Sequence, residues 1–166
     1  MSLDLLKRLC LFIILWMVQI LVLNHIHLFG TAIPLLYIYF VITFRRNTPK
    51  WIILLWSFTM GLAVDVFSNT PGLATGTLTL IAFLQPYLLE LFIPRDSSDE
   101  LSVSAATLGL WKFMTFSGLL IVLYCLIFFA LEAFSFFDWI RWLVCAGTSA
   151  ILTFILIIAI ESVRKK

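Results

Sequence analysis

Residues 51–84 read WIILLWSFTMGLAVDVFSNTPGLATGTLTLIAFL, two long apolar stretches separated by the turn-forming residues SNTPG at 68–72. A helix needs about 20 mainly apolar residues to cross the roughly 30 Å hydrocarbon core of a bilayer. Proline and glycine favour a turn between the two stretches. This part of the sequence therefore predicts two membrane-spanning helices joined by a short connection.

The composition extends this interpretation to the whole chain. It has 166 residues, of which 63% are hydrophobic and 12% are charged, and its mean hydropathy is +1.11. Soluble domains contain about 25% charged residues, and a chain of this size has too little interior to hide so much apolar surface from water. We expect an all-α integral membrane protein, with a single transmembrane domain over residues 1–166 and about six helices in a compact bundle.

The boundaries of the spans follow from charged residues, prolines and polar clusters. They divide the chain into apolar segments at about 9–28, 33–44, 51–68, 72–93, 108–131 and 139–160. The second segment is short, and Pro34 stands where its first helical turn would be. The first segment is long for the apolar core of a signal peptide, so we expect it to be a span.

The distribution of basic residues predicts the orientation of the chain. Basic residues favour the cytoplasmic side of short membrane loops. They cluster at Lys7–Arg8, 45–50 and 164–166. Six spans place all three clusters on the inner side and leave only Arg141 outside. We therefore predict a multi-pass protein of the bacterial inner membrane with both termini in the cytoplasm.

Small and polar residues form stripes that predict helix packing, because helices in lipid associate through close contacts of small residues and a few hydrogen bonds. Such stripes lie on three of the predicted spans, and we expect them to face one another. On the fourth span, Gly72 and Gly76 form a GxxxG pair. The stripes consist of Ser57, Gly61, Asp65 and Ser68 on the third span; Gly72, Gly76, Thr79, Phe83, Pro86 and Glu90 on the fourth; and Ala146, Ala150 and Thr153 on the sixth.

Asp65 is the most informative ionisable residue, because the sequence places it about 20 Å along the third span from its cytoplasmic end, inside the outer leaflet. A carboxylate at that depth costs a few kcal/mol unless it is paired, hydrated or protonated. Two interpretations stand. Asp65 is either a proton or substrate site, or a helix-end carboxylate that caps the amides at 72–75.

The other polar candidates are few. Glu90 and Lys112 both fall near the inner surface, where they are expected to pair, and Asn24 lies with His25 and His27 in an outer loop. Two histidines without a third ligand do not predict a metal site, and the three cysteines all lie in apolar runs without ligand spacing. The sequence lacks the HExxH and GxSxG motifs of common hydrolases. We therefore expect no catalytic residue, no metal and no cofactor, and the net charge of +2 gives no case for nucleic acid.

The stretch from Gly61 to Gly76, GLAVDVFSNTPGLATG, resembles the rod shape-determining protein MreD family. The chain is also similar to that family in its length and number of spans. Gly61, Asp65, Pro71, Gly72 and Gly76 match the family's Gly-x-x-x-Asp helix end, short turn and Gly-rich helix start. The residue types suit a helical hairpin, so we interpret these positions as structural.

The resemblance implies a non-enzymatic subunit of the machinery that elongates the bacterial cell wall. The implied partners are an MreC-like single-span protein, a RodA-type glycosyltransferase with its transpeptidase, and MreB filaments. The apolar first span and the GxxxG pair suit docking of a partner helix, and the basic inner segments favour anionic lipid.

A second function from another class remains open. Small substrate-binding subunits of vitamin or metal importers are also six-helix membrane proteins of this size. They resemble one another in an Ala-x-x-x-Ala pattern on the first helix, and residues 9–28 here contain no alanine. They also need a polar ligand pocket, for which the outer half of this chain offers little besides Asn24, His25 and Asp65.

Overall fold

The computed structural model describes residues 2–22, 34–93, 103–133 and 139–164. Every regular element within these ranges is a helix, as the sequence predicts. In chain order the helices are α1 (Ser2–Leu21), α2 (Ile38–Ile42), α3 (Lys50–Ser68), α4 (Leu73–Phe92), α5 (Ala105–Leu108), α6 (Leu110–Ala133) and α7 (Trp139–Arg164).

Four helices, α3, α4, α6 and α7, are long and apolar enough to cross a membrane. They correspond to the predicted spans 51–68, 72–93, 108–131 and 139–160, and their bounds differ from the predictions by four residues or fewer. Their sequences are long and mainly apolar, and a helix satisfies its backbone hydrogen bonds internally, as lipid requires. The prediction of a multi-pass helical membrane protein is confirmed at this level.

The first helix begins earlier than the predicted span at 9–28. α1 covers Ser2–Leu21 and therefore includes Lys7 and Arg8. These charges do not interrupt the helix, since basic side chains at a helix end reach toward the membrane surface. Residues 23–28 lie outside the described residues, so the structure describes only the N-terminal part of that segment.

The predicted second span at 33–44 does not form as one spanning helix. Only Ile38–Ile42 is α-helical, and five residues rise about 7.5 Å. Turns with backbone hydrogen bonds three residues apart flank this helix, including Tyr39 N to Leu36 O (3.0 Å) and Phe44 N to Val41 O (3.4 Å). The amides of Leu35 and Leu36 donate to Thr153 Oγ1 of α7 (3.0 Å) and Gln19 Oε1 of α1 (3.0 Å), so side chains of other helices hold the start of this stretch.

Residues 34–44 form the centre of the bundle, and we call them the central segment. Ten of its eleven side chains are buried, with Thr43 partly exposed. The side-chain amide of Gln19 donates to Pro34 O (2.9 Å) and accepts from Leu36 N (3.0 Å). At the other end, the Arg8 guanidinium lies 4.4 Å from the centre of the Phe44 ring. The segment therefore runs antiparallel to α1 for about 16 Å, the rise between Arg8 and Gln19.

The long helices pack around the central segment. α3 packs against α1 and α4, α6 packs against α4 and α7, and α2 contacts α1, α3, α4 and α6. Lys7, Arg8, Arg45 and Arg164 line the same cavity. The N-terminal end of α1, the C-terminal end of α7 and the Phe44 end of the central segment therefore lie together on one side of the bundle.

The predicted packing face of the fourth span is wrong. Gly72, Gly76, Phe83 and Glu90 are exposed, whereas Ser57, Gly61 and Asp65 on α3 and Ala146, Ala150 and Thr153 on α7 are buried as predicted. α4 buries its neighbouring face instead, which consists of Ala74, Thr75, Thr77, Leu78, Ile81, Ala82, Gln85 and Leu89. The hydroxyl of Thr77 donates to Leu73 O of the same helix (2.6 Å), so this side chain can be buried without a polar partner from another helix. The hydroxyl of Thr75 donates instead to Asp65 Oδ2 of α3 (2.6 Å).

Candidate functional site

Asp65 lies in the last turn of α3 and binds the first turn of α4. Its Oδ1 accepts from Ala74 N (2.8 Å) and from Thr70 Oγ1 (3.0 Å). Its Oδ2 accepts from Thr75 N (2.8 Å) and Thr75 Oγ1 (2.6 Å). The side chain is only 5% exposed. Asp65 therefore occupies the position that the capping interpretation requires, with both oxygens engaged.

The backbone of the turn explains why the cap comes from the preceding helix. Gly72 is the N-cap residue of α4 and has no side chain to donate or accept, and its φ of 84° suits glycine. The first amides of a helix have no partner within it, so Ala74 N and Thr75 N need an acceptor. Asp65 supplies two oxygens, and a negative charge at a helix N-terminus is favourable.

Asn69 closes α3 on the other side of the same turn. It adopts a left-handed conformation with φ 56°, and its amide donates to Asp65 O. Thr70 N donates to the same carbonyl oxygen (3.2 Å). Asparagine tolerates this conformation better than most residues. The backbone and side chain of Asp65 therefore join both helix ends.

Gly61 lets the two helices approach one turn below Asp65. A Cβ atom at Gly61 would lie 2.5 Å from Thr75 Cα, 2.8 Å from Thr75 N and 2.9 Å from Ala74 O. These are backbone atoms of α4, which cannot move away without breaking the Asp65 hydrogen bonds. The contact of small residues that the sequence predicts here is thus made by Gly61 against α4.

Gly72, Gly76 and Pro71 contribute differently. All three residues are exposed, and a Cβ atom at Gly72 or Gly76 would meet nothing within 4 Å. Gly72 still has a conformational role through its positive φ. Gly76 has neither a positive φ nor a close neighbour. The GxxxG pair therefore does not pack against the described part of this chain and instead forms an open, flat surface on α4.

The remaining predicted polar residues do not join this site. Glu90 and Lys112 are both exposed, and the described residues include no ion pair between them. Asn24, with His25 and His27, lies outside the described residues. Within the described ranges, no group of three His, Cys, Asp or Glu residues is placed to hold a metal ion.

Sequence reasoning missed the polar contacts that hold the central segment. Tyr37 OH shares a short hydrogen bond with Tyr124 OH of α6. Tyr39 OH donates to Glu161 Oε2 of α7 (2.8 Å) and accepts from Arg164 Nη1 (3.2 Å). These contacts join residues that are 87 and 122 positions apart in the chain, so they leave no local sequence pattern. The acidic residue at 161 among the apolar residues of α7 is the one available signal.

No protein-family model, curated protein or solved structure matches this chain. The role of the Asp65 turn therefore follows from its geometry alone. Four donors, two from main-chain amides and two from hydroxyls, converge on one carboxylate. This arrangement fixes a helical hairpin, and among the described residues no second acidic side chain contributes a hydrogen bond to it.

We predict that Gly61→Val destabilises the protein by about 3 kcal/mol or more, because the side chain overlaps the backbone of α4. Gly76→Val is the matched control, with the same change on the open face of the hairpin. The measurement is the thermal unfolding midpoint of both variants in detergent. Equal midpoints for the two variants would contradict the close approach at Gly61.

We also predict that Asp65→Asn lowers the free energy of unfolding by about 2–3 kcal/mol, because an amide nitrogen would face donors that need an acceptor. Glu90→Gln serves as the control, since Glu90 is exposed. If Asp65→Asn unfolds like the wild type but is inactive in cells, the proton or substrate interpretation replaces the capping one.

Proposed function

We propose that this protein is a non-enzymatic membrane subunit of the bacterial cell-wall elongation machinery. It holds an MreC-like single-span protein beside a RodA-type glycosyltransferase and its transpeptidase, in contact with MreB filaments. The support comes from the stretch that resembles the MreD family, because Gly61 and Asp65 of that stretch build a rigid hairpin instead of a reactive site.

The observation that carries the proposal is the outer face of α4. Gly72, Gly76, Leu80, Phe83 and Tyr87 are exposed along one side of this helix. Two glycines one turn apart let another helix approach closely in lipid, and large apolar residues below them add contact area. We assign this face to the membrane helix of the MreC-like partner. The exposed apolar side of α1 offers a second surface of the same kind.

The proposed orientation has both termini in the cytoplasm. It is supported by the common position of Lys7, Arg8, Arg45 and Arg164 at one end of the bundle. The central segment takes the place of the second of six crossings, since it returns the chain from the level of Gln19 to the level of Arg8. Basic residues favour the inner side, so this end is the cytoplasmic one.

The importer-subunit alternative fits the structure less well. It requires a ligand space in the outer half of the bundle. The central segment fills the middle of the described bundle, and its Leu35 amide is bound by Thr153 Oγ1 of α7 (3.0 Å). Both oxygens of Asp65 are already engaged. These contacts favour a scaffold.

The orientation predicts which loops react with a membrane-impermeant thiol reagent. In a cysteine-free background, Pro71→Cys in the exposed α3–α4 turn should be labelled in intact spheroplasts. Asn47→Cys in the exposed basic loop should be labelled only after the membrane is permeabilised. Labelling of both positions, or of Asn47→Cys alone, in intact spheroplasts would contradict the orientation.

The partner proposal is tested by purifying the tagged protein from its native membrane in gentle detergent and identifying the proteins that accompany it. We expect a single-span periplasmic protein and wall synthases. Gly76→Leu should reduce their recovery severalfold, because the side chain blocks close approach of a helix. Gly147→Leu is the control, since Gly147 is also exposed without a neighbour.

Two results would contradict this assignment. Unchanged recovery with Gly76→Leu would remove the α4 face as the docking surface. Recovery of a pair of ATPases with a second membrane subunit would instead identify an importer.

A further inference from the structure

We propose that a cavity at the basic end of the bundle binds the phosphate group of an anionic lipid. The cavity has a volume of about 510 Å³ and lies between the start of α1, the end of the central segment and the end of α7. Volumes of about 300–1,000 Å³ are typical of pockets that bind small molecules. Its polar lining comprises Lys7, Arg8, Tyr39, Thr43, Arg45 and Arg164.

The charge of the cavity selects an anion. Four basic side chains line it, and none of the described lining residues is acidic. The carboxylate of Glu161 lies beside the cavity, where it accepts from Tyr39 OH and lies 3.9 Å from Arg164 Nη1. The described lining itself therefore contributes four positive side chains and no negative one.

Two of the four cations are held in place by contacts with the central segment. The Arg8 guanidinium lies over the Phe44 ring, and Arg164 Nη1 donates to Tyr39 OH. Each guanidinium presents five N–H donors in a planar fork that matches the oxygens of a phosphate group. Arginines whose position is already fixed lose less side-chain entropy when they bind a planar or tetrahedral oxyanion. Lys7 and Arg45 are exposed at the rim.

The rest of the lining favours a lipid over a free phosphate ion. Leu11, Phe40, Ile160 and Val163 give the cavity an apolar wall. A phosphate ion gains no binding free energy from an apolar wall, whereas the glycerol and upper acyl carbons of a phospholipid bury apolar surface there. Basic pockets between membrane helices at the membrane surface are known to bind anionic headgroups.

This site is independent of the proposed partners. It requires only that the basic end of the bundle lie at a membrane surface. Binding of an anionic lipid without recovery of wall synthases would support the site and contradict the scaffold. The reverse outcome would support the scaffold and contradict the site.

The experiment measures lipid binding to the full chain, purified without lipid in detergent, by native mass spectrometry. The probes are phosphatidylglycerol, phosphatidylcholine and inorganic phosphate. We expect preferential retention of phosphatidylglycerol. The double variant Lys7→Gln/Arg45→Gln should bind it about tenfold more weakly, because each interfacial cation contributes to headgroup attraction.

The matched control is Lys112→Gln/Arg141→Gln, which removes the same charge from exposed positions that do not line the cavity. It should bind phosphatidylglycerol as the wild type does. Because Lys7 and Arg45 are exposed, the cavity variant should keep the unfolding midpoint of the lipid-free wild type. If the double variant is unstable, the single variant Lys7→Gln is measured instead, and it should show a smaller loss of phosphatidylglycerol binding.

Three results would overturn the proposal. The first is equal weakening by the cavity and control variants, and the second is equal binding of phosphatidylcholine and phosphatidylglycerol. The third is displacement of the lipid by inorganic phosphate at a matched concentration, which would assign the cavity to a free anion.

Discussion

The hydrogen bonds from Ala74 and Thr75 to Asp65 determine how the polypeptide can turn within an apolar environment. A helix end in lipid has amides without partners, and each one left unsatisfied costs several kcal/mol. Asp65 meets this requirement from the preceding helix, which ties the end of α3 to the start of α4. Once these ends are joined, the helices can only run side by side. Gly61 then permits the backbone contact that follows, because a larger side chain there would overlap Thr75.

The same requirement explains the polar residues at the centre of the bundle. The central segment has irregular backbone, and such backbone is tolerated at membrane depth only when protein surrounds it and satisfies its groups. Gln19 provides both a donor and an acceptor for Pro34 and Leu36. Thr153 accepts from Leu35 N, which ties the segment to α7. The Pro34 end of the segment is therefore fixed to α1 and α7. The hydrogen bonds of Tyr37 and Tyr39 fix the segment further along the chain.

The sequence predicts what depends on long apolar runs and on local chemistry. α3, α4, α6 and α7 follow from long, mainly apolar stretches, and the Asp65 cap follows from a carboxylate one short turn before a helix that starts with glycine. The face that α4 buries could not be predicted, because apolar residues surround this helix on all sides and lipid is as apolar as the protein interior. In lipid, hydrophobic periodicity does not distinguish buried from exposed faces. The extent of α2 and the pairing of Tyr37 with Tyr124 depend on distant parts of the chain and leave no local pattern.

Two glycines of one hairpin illustrate how intrachain packing can be separated from interaction with other molecules. A glycine within a helix costs about 1 kcal/mol relative to alanine. At Gly61 the close packing of α3 on α4 offsets that free-energy cost, since no side chain fits against Thr75. At Gly76 the described fold offers no compensation, because a Cβ atom would meet nothing. A flat helix surface in lipid becomes favourable only when another backbone approaches it closely. Gly76, with Gly72 four residues before it, is therefore where we propose that a second helix approaches the outer face of α4.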